Sequence, residues 1–207
     1  MSNYLAVDTS SRYLTVAVCK GGNRVISYVA DCTMNHSVVL MDEIDKALDK
    51  AGLTPDECDY FAAITGPGSF TGIRIGVSCI KGYATALGKR AFGVTAFDLI
   101  SYNVNSDCDY LVAVDAAHGN YYVCGYSKHG YCNVSPRFLS REELVGFGLP
   151  VYGFENLDLP EYTRLEVKDC LCPAVEKASG YDGGGLHALY VKKSQAEEER
   201  AARLGLV

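Results

Sequence analysis

Apolar residues follow two different rhythms along this chain. Near the start they come in short runs, Tyr4 to Asp8, Leu14 to Lys20 and Arg24 to Val29, broken by Thr9-Ser10-Ser11-Arg12 and Gly21-Gly22-Asn23. Runs of this length between turn residues predict three strands in a meander, which is not how a dinucleotide-binding unit opens. The rhythm then lengthens. Leu40, Ile44, Ala47, Leu48 and Ala51 recur at helical spacing, so Asn35 to Ala51 predicts a helix with Asn35 as N-cap and Gly52 as its stop. Thr54-Pro55-Asp56-Glu57 has the capping-box pattern of a short helix. Tyr60 to Ile64 predicts a buried strand. A turn with three glycines and a proline follows, and then a second stripe of Ile73, Val77, Ile80, Ala84 and Leu87, ended by Gly88.

The remainder repeats the opening. Arg90 to Val94 predicts a strand, and Thr95 to Tyr102 a helix with Thr95 and Asp98 in capping relation. Asn103 to Asp109 is polar and marks the expected boundary between a lobe over residues 1–103 and a smaller one over residues 104–207. Tyr110 to Val114 and Tyr121 to Tyr126 predict strands around Asp115-Ala116-Ala117-His118-Gly119-Asn120, and a second hairpin turns near Lys128-His129-Gly130. Strand, turn, strand in both halves points to a duplicated plan. Ser140 to Glu143 should cap a short helix, Val151 to Gly153 form a buried strand, and Pro173 to Ser179 form a short helix. Gly183-Gly184-Gly185 is expected to turn, and Ser194 to Leu204 to form a charged terminal helix.

Composition narrows the function classes. At 48% apolar and 21% charged, the 207 residues describe an ordinary globular protein of one or two small domains. A net charge of −6 argues against independent nucleic-acid binding. No segment has the apolar length of a membrane span, and Asp8 falls where a signal-peptide core would form, so a cytoplasmic protein is expected. The nine cysteines are scattered and include no C-x-x-C, which reads as reduced thiols rather than a disulfide framework or a zinc site.

Candidate chemistry concentrates at strand ends. Asp8, Thr9 and Ser10 would face a nucleotide or metal, or would make the side-chain hydrogen bonds usual at strand ends. Gly66, Gly68, Ser69, Thr71 and Gly72 lead into a helix N-terminus, whose free amides suit an anion; equally, the glycines would only permit a tight reversal. The turn is neither a Walker A loop nor a dinucleotide fingerprint. Ser69 is the nucleophile candidate for a hydrolase, against the commoner role of helix cap. His36 and the three other histidines have no partner at ligand spacing.

The string Gly66-Pro67-Gly68-Ser69-Phe70-Thr71-Gly72-Ile73-Arg74-Ile75-Gly76 resembles the signature of the bacterial TsaB family, also called YeaZ. The likeness extends to Leu5 to Ser10, Asn35-His36-Ser37, Lys81 to Gly88, Ala113 to Ala116 and, more weakly, Leu189 to Lys193. It is dense to about residue 126 and thin beyond. The resemblance implies an α/β, two-lobed actin/Hsp70/sugar-kinase-like (ASKHA) fold with mixed sheets and a reduced C-terminal lobe. It also implies a diverged paralogue of TsaD, the subunit that transfers a threonylcarbamoyl group to a tRNA adenosine. TsaD carries a metal-binding H-x-x-x-H after the strand that follows its central helix. Here the matching stretch, Thr95 to Ile100, holds Ala96 and Ile100 in the histidine places, so neither a catalytic residue nor a metal is expected.

The phosphate turn of that superfamily, D-x-G-x-T, is met only in part by Asp8-Thr9-Ser10-Ser11, which lacks the glycine. The isolated chain should need no cofactor, and ATP or ADP would sit in a site shared with partners. In the family, two helices of the first lobe pack on the same pair in TsaD, or on a second copy when alone. Here these are Asn35–Ala51 and Thr71–Leu87, with His36, Val38, Val39, Leu40, Ile44, Gly72, Arg74, Gly76 and Ile80 as the expected contact residues. The run Val38-Val39-Leu40-Met41 is wider than one buried stripe needs, and Gly72 and Gly76 would let helices approach. The function that the resemblance implies is that of an activating subunit of TsaD, with the ATPase TsaE in the assembly and tRNA met only through the complex. The rivals are a glycoprotease-like hydrolase and a nucleotide-dependent small-molecule kinase.

Overall fold

The computed structural model describes residues 2–180 and 185–191. Two five-stranded mixed sheets organise it. β1 (Tyr4–Asp8), β2 (Leu14–Lys20) and β3 (Asn23–Val29) meander antiparallel; α1 (His36–Ala51) then crosses to β4 (Tyr60–Ile64), parallel to β1. α2 (Phe70–Leu87) crosses in turn to β5 (Arg90–Val94), parallel to β4, giving the order β3-β2-β1-β4-β5. After α3 (Ala96–Ser101), the strands β6 (Tyr110–Asp115), β7 (Asn120–Tyr126) and β8 (Cys132–Ser140) repeat the meander. α4 (Arg141–Val145) leads to β9 (Val151–Gly153), parallel to β6, and β10 (Tyr162–Arg164) pairs parallel with β9. The second order, β8-β7-β6-β9-β10, is the first one again. The crossover from β9 to β10 carries no helix, and both strands have three residues, which is where the second lobe is reduced.

The layers follow from two-faced burial. Every residue of β1 and β4 is buried, and alternate side chains serve different cores. Leu5, Val7, Phe61 and Ala63 pack beneath α1 and α2 with Leu40, Ile44, Ile73 and Ile80. Tyr4, Ala6, Tyr60, Ala62 and Ile64 face the opposite way, onto a core shared with α3, α5 (Leu171–Ser179) and the second sheet. A third, smaller core lies outside β6 and β7 under Leu144 of α4. The chain's last described residues return to the first lobe: Leu186 is buried with the α1/α2 core, and Leu189 N donates to Thr65 O at 2.7 Å.

Local differences from the sequence pattern have physical reasons. Asn35 precedes α1 as expected, but its side chain makes no capping bond and its backbone is not extended. β8 contains Pro136 and reads poorly as a strand; it is an edge strand, and Pro136 falls in the irregular stretch of its pairing with β7, where proline is tolerated. The turn at Gly183-Gly184 and the terminal helix at Ser194–Leu204 lie outside the described residues. Among the described residues no helix is long and apolar enough to cross a membrane.

Candidate functional site: the interlobe cleft and the outer face of the first lobe

The ends of β1 and β6 meet the N-terminus of α2 around a cleft of about 420 Å³. Ser10, Ser11 and Arg12 line it from the β1–β2 link, Gly68, Ser69 and Thr71 from the glycine turn, and Asp115 and Glu155 from the second lobe. Met34, His36 and Ile75 close it toward the outer helices.

The glycine turn is shaped by its neighbours. Ser69 N donates to Ser10 O at 2.7 Å, and Thr9 Oγ1 donates to Gly72 O at 2.7 Å. A Cβ on Gly68 would overlap Ser10 O, one on Gly72 would overlap Thr9 O, and one on Gly76 would overlap Thr9 Oγ1. These three glycines let the β1–β2 link lie directly on the start of α2. Ser69 caps that helix, its Oγ accepting from Gly72 N at 3.2 Å. Of the anion candidates, Gly68, Ser69 and Thr71 therefore line the cleft, whereas Asp8, Thr9 and Gly66 are buried behind it. Two of the free amides that an anion would use are spent on Ser10 O and Ser69 Oγ.

Two carboxylates are unusual here. Asp8 Oδ1 accepts from Ser10 N at 2.9 Å and from Ser10 Oγ at 2.7 Å, while Oδ2 is buried without a partner. Burial pushes its acidity down, against the pull of the Ser10 hydrogen bonds. Glu155 Oε2 is likewise buried without a partner. Burial, reinforced by Asp115 and Asp8, raises the Glu155 carboxyl from 4.5 to about 7. Between those two values the folded chain holds a proton that the unfolded chain has released. Stability contributed by neutral Glu155 is thus complete below about pH 4.5 and lost as pH rises through about 7. Glu155→Gln should flatten this fall, gaining about 2–3 kcal/mol over the wild type between pH 5 and pH 8 in urea unfolding. Parallel pH profiles would show that Glu155 does not carry the burial cost.

The outer face departs from the pattern-based list. Leu40, Ile44 and Ile80 are at most 2% exposed and belong to the lobe's own core, so they offer nothing to a partner. Gly72 and Gly76 admit the Thr9 turn rather than another helix. His36 is buried, its Nε2 donating to the Tyr13 carbonyl at 3.0 Å. Val39 is half-buried. Val38 stays on the surface at 71% exposure, joined by Met41 at 46% and Met34 at 91%. Across the helix pair, Ile75 and Cys79 are half-buried, and Cys79 Sγ lies 3.8 Å from Met41 Sδ. Arg74 Nε donates to Tyr190 Oη at 3.1 Å, and Phe70 stacks on the same ring with centroids 4.6 Å apart. Met34 precedes α1, where helical periodicity gives no signal; Met41 sits three residues after Val38, and that spacing marks a second apolar row. Ala96 and Ile100 of α3 are buried between the sheets, in hydrocarbon.

Two sheets of one repeated order, with a cleft between the tips of β1 and β6, define a protein of the two-lobed ASKHA class. Comparison with known proteins agrees and goes further. The family described as TsaD, tRNA N6-adenosine threonylcarbamoyltransferase, matches residues 30–162. The tRNA threonylcarbamoyladenosine biosynthesis protein TsaB of Buchnera aphidicola is 33% identical over 129 residues, 60% of each chain. That of Bacillus subtilis is 30% identical over 99 residues, 48% of this chain and 43% of the other. The matched segments thus span less than two thirds of these relatives. YeaZ from Pseudomonas aeruginosa shares the fold, with a TM-score of 0.73 and 22% identity over 92% of this chain and 100% of that one. This chain belongs to the family that the TsaD model describes, and within it the chain is similar to the TsaB proteins.

Proposed function

We propose that this chain is a non-catalytic subunit for threonylcarbamoyladenosine formation in tRNA, binding and activating TsaD through the outer face of α1 and α2. The observation that carries this reading is the apolar row of Met34, Val38 and Met41 beside Ile75 and Cys79. Several large apolar side chains side by side in water suit an interface more than a free surface. A second copy would use the same face when TsaD is absent. TsaE joins the assembly, tRNA is met only through it, and the site of action is the cytoplasm.

The cleft supports a shared nucleotide site rather than an independent one. Met34 and Ile75 belong both to the cleft wall and to the apolar row, so a partner on that face would close the cleft. Arg12 and the hydroxyls of Ser10, Ser11 and Thr71 would then meet ATP or ADP held partly by the partner. Hydrolysis by this chain alone has little support, because Ser69 Oγ is engaged as a cap and His36 Nε2 is held by a backbone carbonyl.

The test is threonylcarbamoyladenosine formation by cognate TsaD and TsaE, with the threonylcarbamoyl donor and ATP, with and without this chain. The expected result is modification that requires it. Equal modification in its absence would overturn the proposal.

A further inference from the structure

The β7–β8 hairpin brings two thiols together by an irregularity in its ladder. Tyr126 pairs with Cys132 and Gly125 with Val134, so one step along β7 spans two along β8. Such a bulge turns residues that would otherwise lie apart onto one spot. Gly125 permits it, since a Cβ there would come within 2.7 Å of Val134. As a result the Cys124 and Cys132 sulfurs lie 3.7 Å apart. Both thiols also donate to the same carbonyl, Val134 O, at 3.3 and 3.5 Å.

The two sites are unequal. Cys132 is exposed on the edge strand, while Cys124 is 2% exposed beneath it. From this geometry we infer that Cys124 and Cys132 form a peroxide-responsive modification site, with Cys132 the attacking thiol and Cys124 the resolving one. Cys132, as the thiolate, attacks one oxygen of hydrogen peroxide. The O–O bond breaks, hydroxide leaves and is protonated to water, and Cys132 becomes a sulfenic acid. Cys124 then attacks the Cys132 sulfur; the S–S bond forms, the S–O bond breaks, and the departing hydroxide takes the Cys124 proton as a second water. Two thiols lose two protons and two electrons, and the peroxide is reduced to two waters. Closing the gap to a bond length of about 2.0 Å takes both sulfurs off Val134 O.

Burial supports this order of events, since it pushes the Cys124 thiol up to about 12 and keeps it protonated until a sulfenic acid appears beside it. In a protein whose other thiols stay reduced, such a bond would be transient and reversible by ordinary thiol exchange. Neither thiol touches the cleft or the outer face of α1, so the inference stands apart from the proposed function.

The reduced full-length chain should be treated with hydrogen peroxide, alkylated, and digested without reductant. Cutting after Lys128 separates the two cysteines; a second cut at Tyr121 or Tyr122 separates Cys124 from Cys108. The expected product is a Cys124–Cys132 cross-link, with a mass loss of about 2 Da. Cys124→Ser should leave a sulfenic acid on Cys132 that a dimedone-type reagent traps, and that labelling should be lost in the wild type. Cys132→Ser should abolish the cross-link. Overoxidation of Cys132 in the wild type as fast as in Cys124→Ser would overturn the assignment, as would a cross-link through another cysteine. If Cys124→Ser does not fold, the wild-type cross-link and its loss in Cys132→Ser decide the matter.

Discussion

A Val38→Asp, Met41→Asp double variant is expected to keep its fold and lose its partner. Both side chains protrude, at 71% and 46% exposure, so replacing them should change stability by no more than about 0.5 kcal/mol each. Val38 lies in the first turn of α1, where an added carboxylate also suits the helix dipole. Against a partner the same two charges would be buried unpaired at the centre of an apolar contact. Losses of about 2 kcal/mol per central residue, compounded by desolvation of the charges, predict TsaD binding weakened about a thousandfold. Binding by titration calorimetry and threonylcarbamoyladenosine formation should fall together while the thermal midpoint holds. Unchanged affinity would remove the outer face from the proposal. Leu40→Asp is no substitute for this pair: at 2% exposure it would place a charge in the core and unfold the lobe.

The same pair shows what could be read from the chain and what could not. Helical spacing identified the stripe of Leu40, Ile44 and Leu48, and the structure buries all three. Periodicity says which residues share a face, but it does not say whether that face meets the chain's own sheet or another protein. Leu40 and Val38 look alike in a run of four apolar residues; only the direction in which α1 lies on β2 and β3 separates them. The strands of the first lobe were legible because β1 and β4 are short, apolar on both faces and bounded by turn residues. The cleft was legible only in part. Ser69 and Thr71 were marked by the glycine turn, but Glu155 comes from a stretch with no periodicity and is made unusual solely by burial that the fold imposes. Tyr190 likewise acquires its role from Phe70 and Arg74, more than a hundred positions away. The glycine turn itself admitted an anion cradle or a tight reversal, and nothing local decided between them. What fills the space is the carbonyl edge of Thr9 and Ser10, contributed by the other end of the lobe.

Gly72→Ala should therefore act on stability first. Its methyl group would sit inside the van der Waals radius of Thr9 O, a backbone atom fixed by the β1–β2 link, so no side-chain rotation relieves it. Either α2 shifts outward or the link moves, and both break the Thr9 Oγ1 to Gly72 O bond. A loss of about 3 kcal/mol or more is expected, read as a lower urea midpoint at unchanged slope. Gly82→Ala is the control on the same helix. Nothing lies within 4 Å of the position its Cβ would take, and alanine in a helix interior should gain about 0.5–1 kcal/mol. Equal stability of the two variants would mean that the link yields and that the close approach is not what the glycine is for. Were Gly72 there to admit an anion, alanine would spare stability and remove ligand binding, the reverse pattern. The comparison also separates folding from docking. Ile75 and Cys79 ride on α2, so Gly72→Ala should lose TsaD binding only as far as it loses the folded lobe, and stabilising conditions should restore both. The Val38, Met41 variant should stay unbound under those same conditions, because its lobe is folded already and only the surface has changed.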